Sequence, residues 1–187
     1  MAVRDIRVAL RHFRHSWRSG ECPLRDELWD DQESESAEEV LDTGLVLIRL
    51  GGAYFAVDVA SVVEVAVLRE VTNLFRLPGH IRGIMNLRGR ILPVADMGTL
   101  LGVETGETES GLLLRWKNHE ALFAVDEVLS VEWISAKSIV DIPSTTPEAT
   151  RDFFRGVYRG RQPATILRTE RLFDHDAWLF LEEEGAA

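Results

Sequence analysis

Phe55-Ala56-Val57-Asp58 recurs as Phe123-Ala124-Val125-Asp126, and at the same offset Val63-Glu64-Val65 answers to Val131-Glu132-Trp133. Further along each copy, Ile81-Arg82-Gly83 is echoed by Phe154-Arg155-Gly156, and Arg88-Gly89-Arg90 by Arg159-Gly160-Arg161. A period of roughly 70 residues is too long, and two copies are too few, for a solenoid. From Gly44 onward each copy carries about five short β-prone runs separated by polar turns. The duplication therefore predicts a mainly β chain built as two small five-stranded barrels packed together. Their boundaries are read as residues 43–105 and 106–183, with strands exchanged at the join, followed by a tail at 184–187.

Charge marks off what precedes the repeat. Residues 1–20 carry five arginines against Asp5, whereas residues 21–42 carry ten acids against Arg25. In the first block Ile6, Leu10, Phe13 and Trp17 recur at helical spacing, as do Arg4, Arg7, Arg11, Arg14 and Arg18. At about 100° per residue the two stripes lie on adjacent flanks of one amphipathic helix, which Ser19-Gly20 ends. Such an arm, through Leu10, Phe13, Trp17 and its arginines, suits an acidic helical groove, an anionic membrane surface or the chain's own acidic domain. The second block holds Pro23, serines and carboxylates and reads as a flexible acidic linker, because it cannot bury enough apolar surface to order itself.

The remaining composition excludes more than it selects. A net charge of −10 opposes nucleic-acid binding, which needs a basic surface. Cys22 is the single cysteine, so neither a disulfide framework nor a thiolate zinc site is available. His12, His15, His80, His119 and His175 lack metal-ligand spacing, and no metal is expected. Ser130 and Ser135 have no glycine-framed nucleophile turn, and no glycine-rich phosphate cradle appears. An enzyme has no residues to work with, and no cofactor is expected. No window approaches the roughly 20 apolar residues that span a bilayer, and no signal-peptide pattern opens the chain. A cytoplasmic protein is expected.

The most informative short segment is Ile81 to Asp96. Ile84–Leu87 and Ile91–Ala95 are two β-prone runs around Arg88-Gly89-Arg90, with glycine where a left-handed turn needs it. Gly83, before the first run, suits a bulge or a close backbone approach. Val62, Ile84, Met85 and Leu87 lie around this hairpin, and alternation turns some of them outward. Asp58 and Asp126 each follow a buried strand and are read as caps of short helices. The second copy has a shorter hairpin, and Leu167 stands where the first has Asp96, so one capping aspartate is lost.

The order I-R-G-x-x-N-L-R-G-x-x-x-P-V-x-D closely resembles the signature of the CheW family, which couples chemoreceptors to a histidine kinase in bacterial signalling arrays. The resemblance extends to Gly44-Leu45-Val46-Leu47, Tyr54 to Asp58, Val62 to Val65 and Ala124 to Val128, covering roughly residues 43–183. It implies two SH3-like barrels around a shared core. It implies a non-enzymatic adaptor that binds the regulatory domain of a CheA-type kinase and the cytoplasmic tip of a methyl-accepting chemoreceptor. Val62, Glu64, Gly83, Asn86, Leu87 and Arg88 match positions that bear on those partners, with Glu64 and Arg88 forming a salt bridge beside the groove. A ligand-sensing β-barrel module outside chemotaxis is the alternative class, and a CheW-like scaffold of a motility or developmental array is the nearer one.

Overall fold

The computed structural model describes residues 43–106, 108–174 and 178. The arm at 1–20, the linker at 21–42 with Cys22, the tail at 184–187, and His12, His15 and His175 lie outside the described residues. The first copy of the repeat folds as strands β1 (Thr43–Leu50), β2 (Ala53–Asp58), β3 (Val62–Val67), β4 (Ile81–Leu87) and β5 (Arg90–Asp96), then helix α1 (Met97–Leu101). The second folds as β6 (Ser110–Trp116), β7 (His119–Val125), β8 (Glu127–Ile134), β9 (Ile139–Val140), helix α2 (Glu148–Arg151), β10 (Phe154–Tyr158), β11 (Ala164–Leu167) and helix α3 (Thr169–Phe173).

Each sheet takes a hairpin from the other copy. One sheet runs β3-β6-β7-β5-β4 and the other β8-β1-β2-β11-β10-β9. Since β6, β7, β8, β10 and β11 repeat β1, β2, β3, β4 and β5, the two orders are the same order with the leading hairpins swapped, and β9 is an addition. The swap leaves one parallel pairing in each sheet, β5 with β7 and β11 with β2, while the other pairings are antiparallel.

The exchanged hairpins explain why their sequences are apolar without alternation. In β1, Val46, Ile48 and Leu50 face a core shared with Leu112, Leu114, Phe123 and Val125 of β6 and β7. Leu45 and Leu47, pointing the other way, fill the second barrel with Ala56, Ile134 and Ile166. Leu113 and Leu122 do the same in the first barrel against Val94, Leu92 and Met85. A strand buried on both faces needs apolar residues at every position. Burying each such Leu, Ile or Val stabilises the fold by about 1.5–3 kcal/mol.

The Asp58 cap holds, and other local readings are corrected. Asp58 caps a 3-10 turn over Val59–Ser61, its side chain accepting from the Ala60 N–H. Asp126 caps no helix, because β8 begins at the next residue; its carboxylate instead accepts from the Gly51 N–H at 2.8 Å, tying down the β1–β2 turn. The second hairpin has the shorter strands but the longer connection, residues 159–163, so Arg159-Gly160-Arg161 is not the counterpart of the tight Arg88-Gly89 turn. The position that opens α3 is Arg168, one residue beyond Leu167, and it makes no side-chain cap.

Candidate partner-binding site

Strands β3 and β4 are the two edges of the five-stranded sheet, and side chains meet across the seam between them. Arg88 Nη1 lies 3.1 Å from Glu64 Oε2, with the Glu64 side chain 23% exposed and that of Arg88 69%. The sequence builds this approach through the β4–β5 turn. Arg88 and Gly89 both take positive φ, 55° and 84°, which the two-residue turn of a right-twisted hairpin requires. Asn86 Oδ1 accepts from the Gly89 N–H at 2.8 Å and holds the turn closed. A non-glycine residue in this conformation costs about 1–2 kcal/mol, so Arg88 is held in a costly conformation facing β3.

Gly83 serves the seam from below. The connection between β3 and β4 pairs with β4 at one point, Thr72 and Ile84 exchanging N–H···O bonds of 2.8 and 3.0 Å. Gly83 has φ of 142°, and a Cβ there would stand 2.0 Å from the Thr72 carbonyl oxygen. The strand also shifts register between Ile81 and Gly83, so both the bulge and the close approach are present.

The structure thus separates the six residues singled out by the motif. Glu64 and Arg88 meet at the seam, Asn86 holds the turn that presents Arg88, and Leu87 packs against the barrel interior. Val62 is 7% exposed and belongs to the shared core, and Gly83 is buried beneath Thr72. Ile84 and Leu87 are half-buried, while Met85 is in the barrel interior.

Sequence reasoning missed the anchors of the hairpin. Arg82 Nε donates to Asp96 Oδ2 at 2.8 Å, its terminal nitrogens reach Asp96 and Thr108, and Asp96 Oδ1 accepts from Thr99 N–H to cap α1. Burial opposes ionisation of Asp96, but the Thr99 N–H and the Arg82 guanidinium outweigh it and hold the carboxyl below its ordinary range. Arg82 and Asp96 were both visible as fixed letters of the motif, though not as a pair. At the other end, Arg90 and Arg115 converge on Glu120. Both arginines of the Arg-Gly-Arg tip are therefore matched by carboxylates, which removes the basic surface that a nucleic-acid contact needs.

Apolar surface on the same barrel was also missed. Val67 is 46% exposed, Ile91 62% and Phe75 fully exposed, with Leu74 beside it. Leu77, by contrast, packs on the shared core, and Leu68 and Val71 pack inside the barrel, pinning both ends of the loop that carries Leu74 and Phe75. An aromatic in a polar loop of unassigned structure was the one available signal.

Among the described residues no group of three or more His, Cys, Asp or Glu is placed to hold a metal ion, and no helix is long and apolar enough to cross a membrane. Fold and motif together match one family: the profile of the CheW-like domain aligns with residues 44–177. The chain belongs to the CheW-like family. Its relatives include Protein PilI of Pseudomonas aeruginosa, 27% identical over 134 residues, covering 70% of this chain and 75% of that protein. Chemotaxis protein CheW of Rhizobium meliloti is 28% identical over 116 residues, 60% of this chain and 75% of that one. The crystal structure of scaffolding protein TtCheW from Thermoanaerobacter tengcongensis superposes with a TM-score of 0.65 at 24% identity, covering 72% of this chain and 94% of that chain, and so shares the fold. CheW-like proteins are non-enzymatic scaffolds and adaptors, and this chain is of that class.

Proposed function

We propose that the chain is a cytoplasmic adaptor that couples chemoreceptors to a CheA-type histidine kinase within a signalling array. In this reading a barrel end docks the kinase regulatory domain, and the groove beside β3 and β4 takes the helical tip of a methyl-accepting receptor. The observation that carries it is the Glu64–Arg88 pair, which fixes two charges of opposite sign across an open seam. A pair this exposed contributes only about 0–1 kcal/mol to stability. Its value lies in presenting oriented charge to a partner, where electrostatic complementarity sets specificity and register. The exposed Ile91 and Phe75 supply apolar contact of the kind helix-in-groove docking uses.

The ligand-sensing alternative is disfavoured by the barrel interiors, which are filled by Leu45, Leu47 and Ile166 in one and by Leu113, Leu122 and Val94 in the other. A scaffold of an array with another output, such as surface motility, remains the second reading, favoured by the likeness to Protein PilI. The test is titration calorimetry of the full chain against the kinase regulatory domain and a receptor cytoplasmic fragment from the same organism. Binding to both supports the adaptor; binding to neither overturns it.

A further inference from the structure

The residues that join α1 to β6 do more than connect them. Both ends of the join lie on the first barrel, α1 directly after β5 and β6 paired with β3, so a path over that barrel alone would suffice. Instead residues 102–106 and 108–109 are fastened to elements of both sheets. Val103 N–H donates to the Gly98 carbonyl in α1 at 2.8 Å, and the Val103 side chain packs on the shared core. Arg82 on β4 donates to the Thr108 hydroxyl, and the Glu109 carbonyl accepts from the Leu68 N–H, just past β3, at 2.8 Å. From the other sheet the β1–β2 turn presses against the same segment: a Cβ on Gly51 would overlap the Glu104 carbonyl oxygen and stand 2.6 Å from Val103 Cγ1. Asp126 holds the same turn through the Gly51 N–H.

The two exchanged hairpins differ in the way this contact needs. Aligned on Phe55 and Phe123, β1–β2 ends at Leu50 with Ala53, whereas β6–β7 goes on to pair Arg115 with Glu120 and Trp116 with His119. The longer hairpin turns on Lys117 at φ of 53°, the shorter one on Gly51 at 54°. The Glu104 carbonyl leaves no room for a Cβ at Gly51. At the junction of the longer hairpin, Asp58, which matches Asp126 in the repeat, turns back on the Ala60 N–H, and Trp116 borders an open hollow of about 350 Å³. Apolar packing in the shared core is non-directional and lets packed layers slide, whereas hydrogen bonds and hard contacts at the rim do not. We propose that the α1–β6 segment is a latch that fixes the six-stranded sheet on the five-stranded one at a single angle, with Gly51, Gly98 and Arg82 as its positioning residues. A partner that spans both barrels then meets a surface already formed, without the cost of ordering two mobile halves. The latch is a property of the free chain and stands apart from the receptor–kinase reading.

Gly51→Ala tests the latch, with Gly52→Ala as its control: Gly52 also has positive φ, 82°, but a Cβ there meets nothing within 4 Å. Gly98→Ala reaches the latch from α1, because its Cβ would stand 2.7 Å from the Val103 carbonyl oxygen, while alanine itself favours the helix. In the ¹⁵N-labelled full chain, amide hydrogen exchange is read at Val103 and Leu68, and residual dipolar couplings are read over both sheets. The expected result for Gly51→Ala and Gly98→Ala is exchange at least about tenfold faster at these two amides, and sheets that no longer fit one common alignment tensor. Gly52→Ala keeps the native exchange and the common tensor. Exchange within about twofold of that control, or a common tensor retained despite faster exchange, overturns the proposal. If Gly51→Ala does not fold, Gly98→Ala decides on the same two criteria.

Discussion

Replacing Gly83 with alanine tests the construction of the seam. The added Cβ would stand 2.0 Å from the Thr72 carbonyl oxygen and 2.8 Å from its carbon, so the β3–β4 connection must move off β4 by more than an ångström. That displacement breaks the two Thr72–Ile84 hydrogen bonds, worth about 0.5–1.5 kcal/mol each. It also leaves an L-residue at φ of 142°, a strain of about 1–3 kcal/mol. The sum is about 2–6 kcal/mol, and at roughly 4 °C per kcal/mol for a domain of this size Tm falls by about 8 °C or more. Gly89→Ala is the matched control: its φ is 84°, but a Cβ there meets nothing within 4 Å, so only strain of about 1–2 kcal/mol applies. Scanning calorimetry of both variants decides the matter. Equal Tm losses for Gly83→Ala and Gly89→Ala would show that the Thr72 carbonyl plays no part and refute the reasoning.

Further outcomes follow from the interior and from titration. Leu122, fully buried against Leu113 and Val94, should cost about 2–5 kcal/mol as Leu122→Ala, read by urea unfolding. Asp96 has a lowered pKa, so its ionised form contributes stability that is present above the unfolded value near about 4 and is lost as pH falls through the folded value. Asp96→Asn should destabilise the chain at pH 7 and flatten the decline in acid, measured as unfolding free energy against pH. Tyr158, buried and donating to Glu132 Oε2 at 2.8 Å, has its phenol pushed up to about 12, by desolvation first and then by the Glu132 carboxylate. The contribution of its neutral form is complete below about pH 10 and is lost as pH rises through about 12. Phenolate absorbance should show one tyrosine titrating there, and Glu132→Gln should bring that step down.

Local chemistry was legible where a short stretch of backbone decides the outcome. The Arg88-Gly89 turn, the Gly83 approach and the Asp58 cap each depend on a few neighbouring residues whose φ or side-chain reach admits few solutions. Asp126 shows the limit: its neighbourhood in sequence copies that of Asp58, but its partner is Gly51, contributed by the exchanged hairpin. The duplicated motifs carried the two-barrel architecture, yet the order β3-β6-β7-β5-β4 depends on which copy's hairpin lies beside which strand, and two hairpins of similar apolar pattern carry no label for that. The Glu64–Arg88 pair was anticipated through the family resemblance. Arg82–Asp96 and the Arg90–Glu120–Arg115 cluster join residues on different strands, and spacing along the chain does not encode such partners. Phe75 and Ile91 were overlooked because exposure of an apolar side chain is a property of the assembled surface.

A double-mutant cycle on Glu64 and Arg88 tests the central claim, that this pair presents oriented charge to a partner and has little to do with holding the fold together. Glu64→Lys, Arg88→Glu and the combined swap would each be measured for unfolding free energy and for affinity to the kinase regulatory domain and the receptor fragment. The account predicts stability changes within about 1 kcal/mol for every variant. It predicts at least a tenfold loss of affinity for one partner in each single variant, about 1.4 kcal/mol of binding free energy, without full recovery in the swap. Stability losses of several kcal/mol with affinity unchanged would contradict it and make the pair a structural clasp.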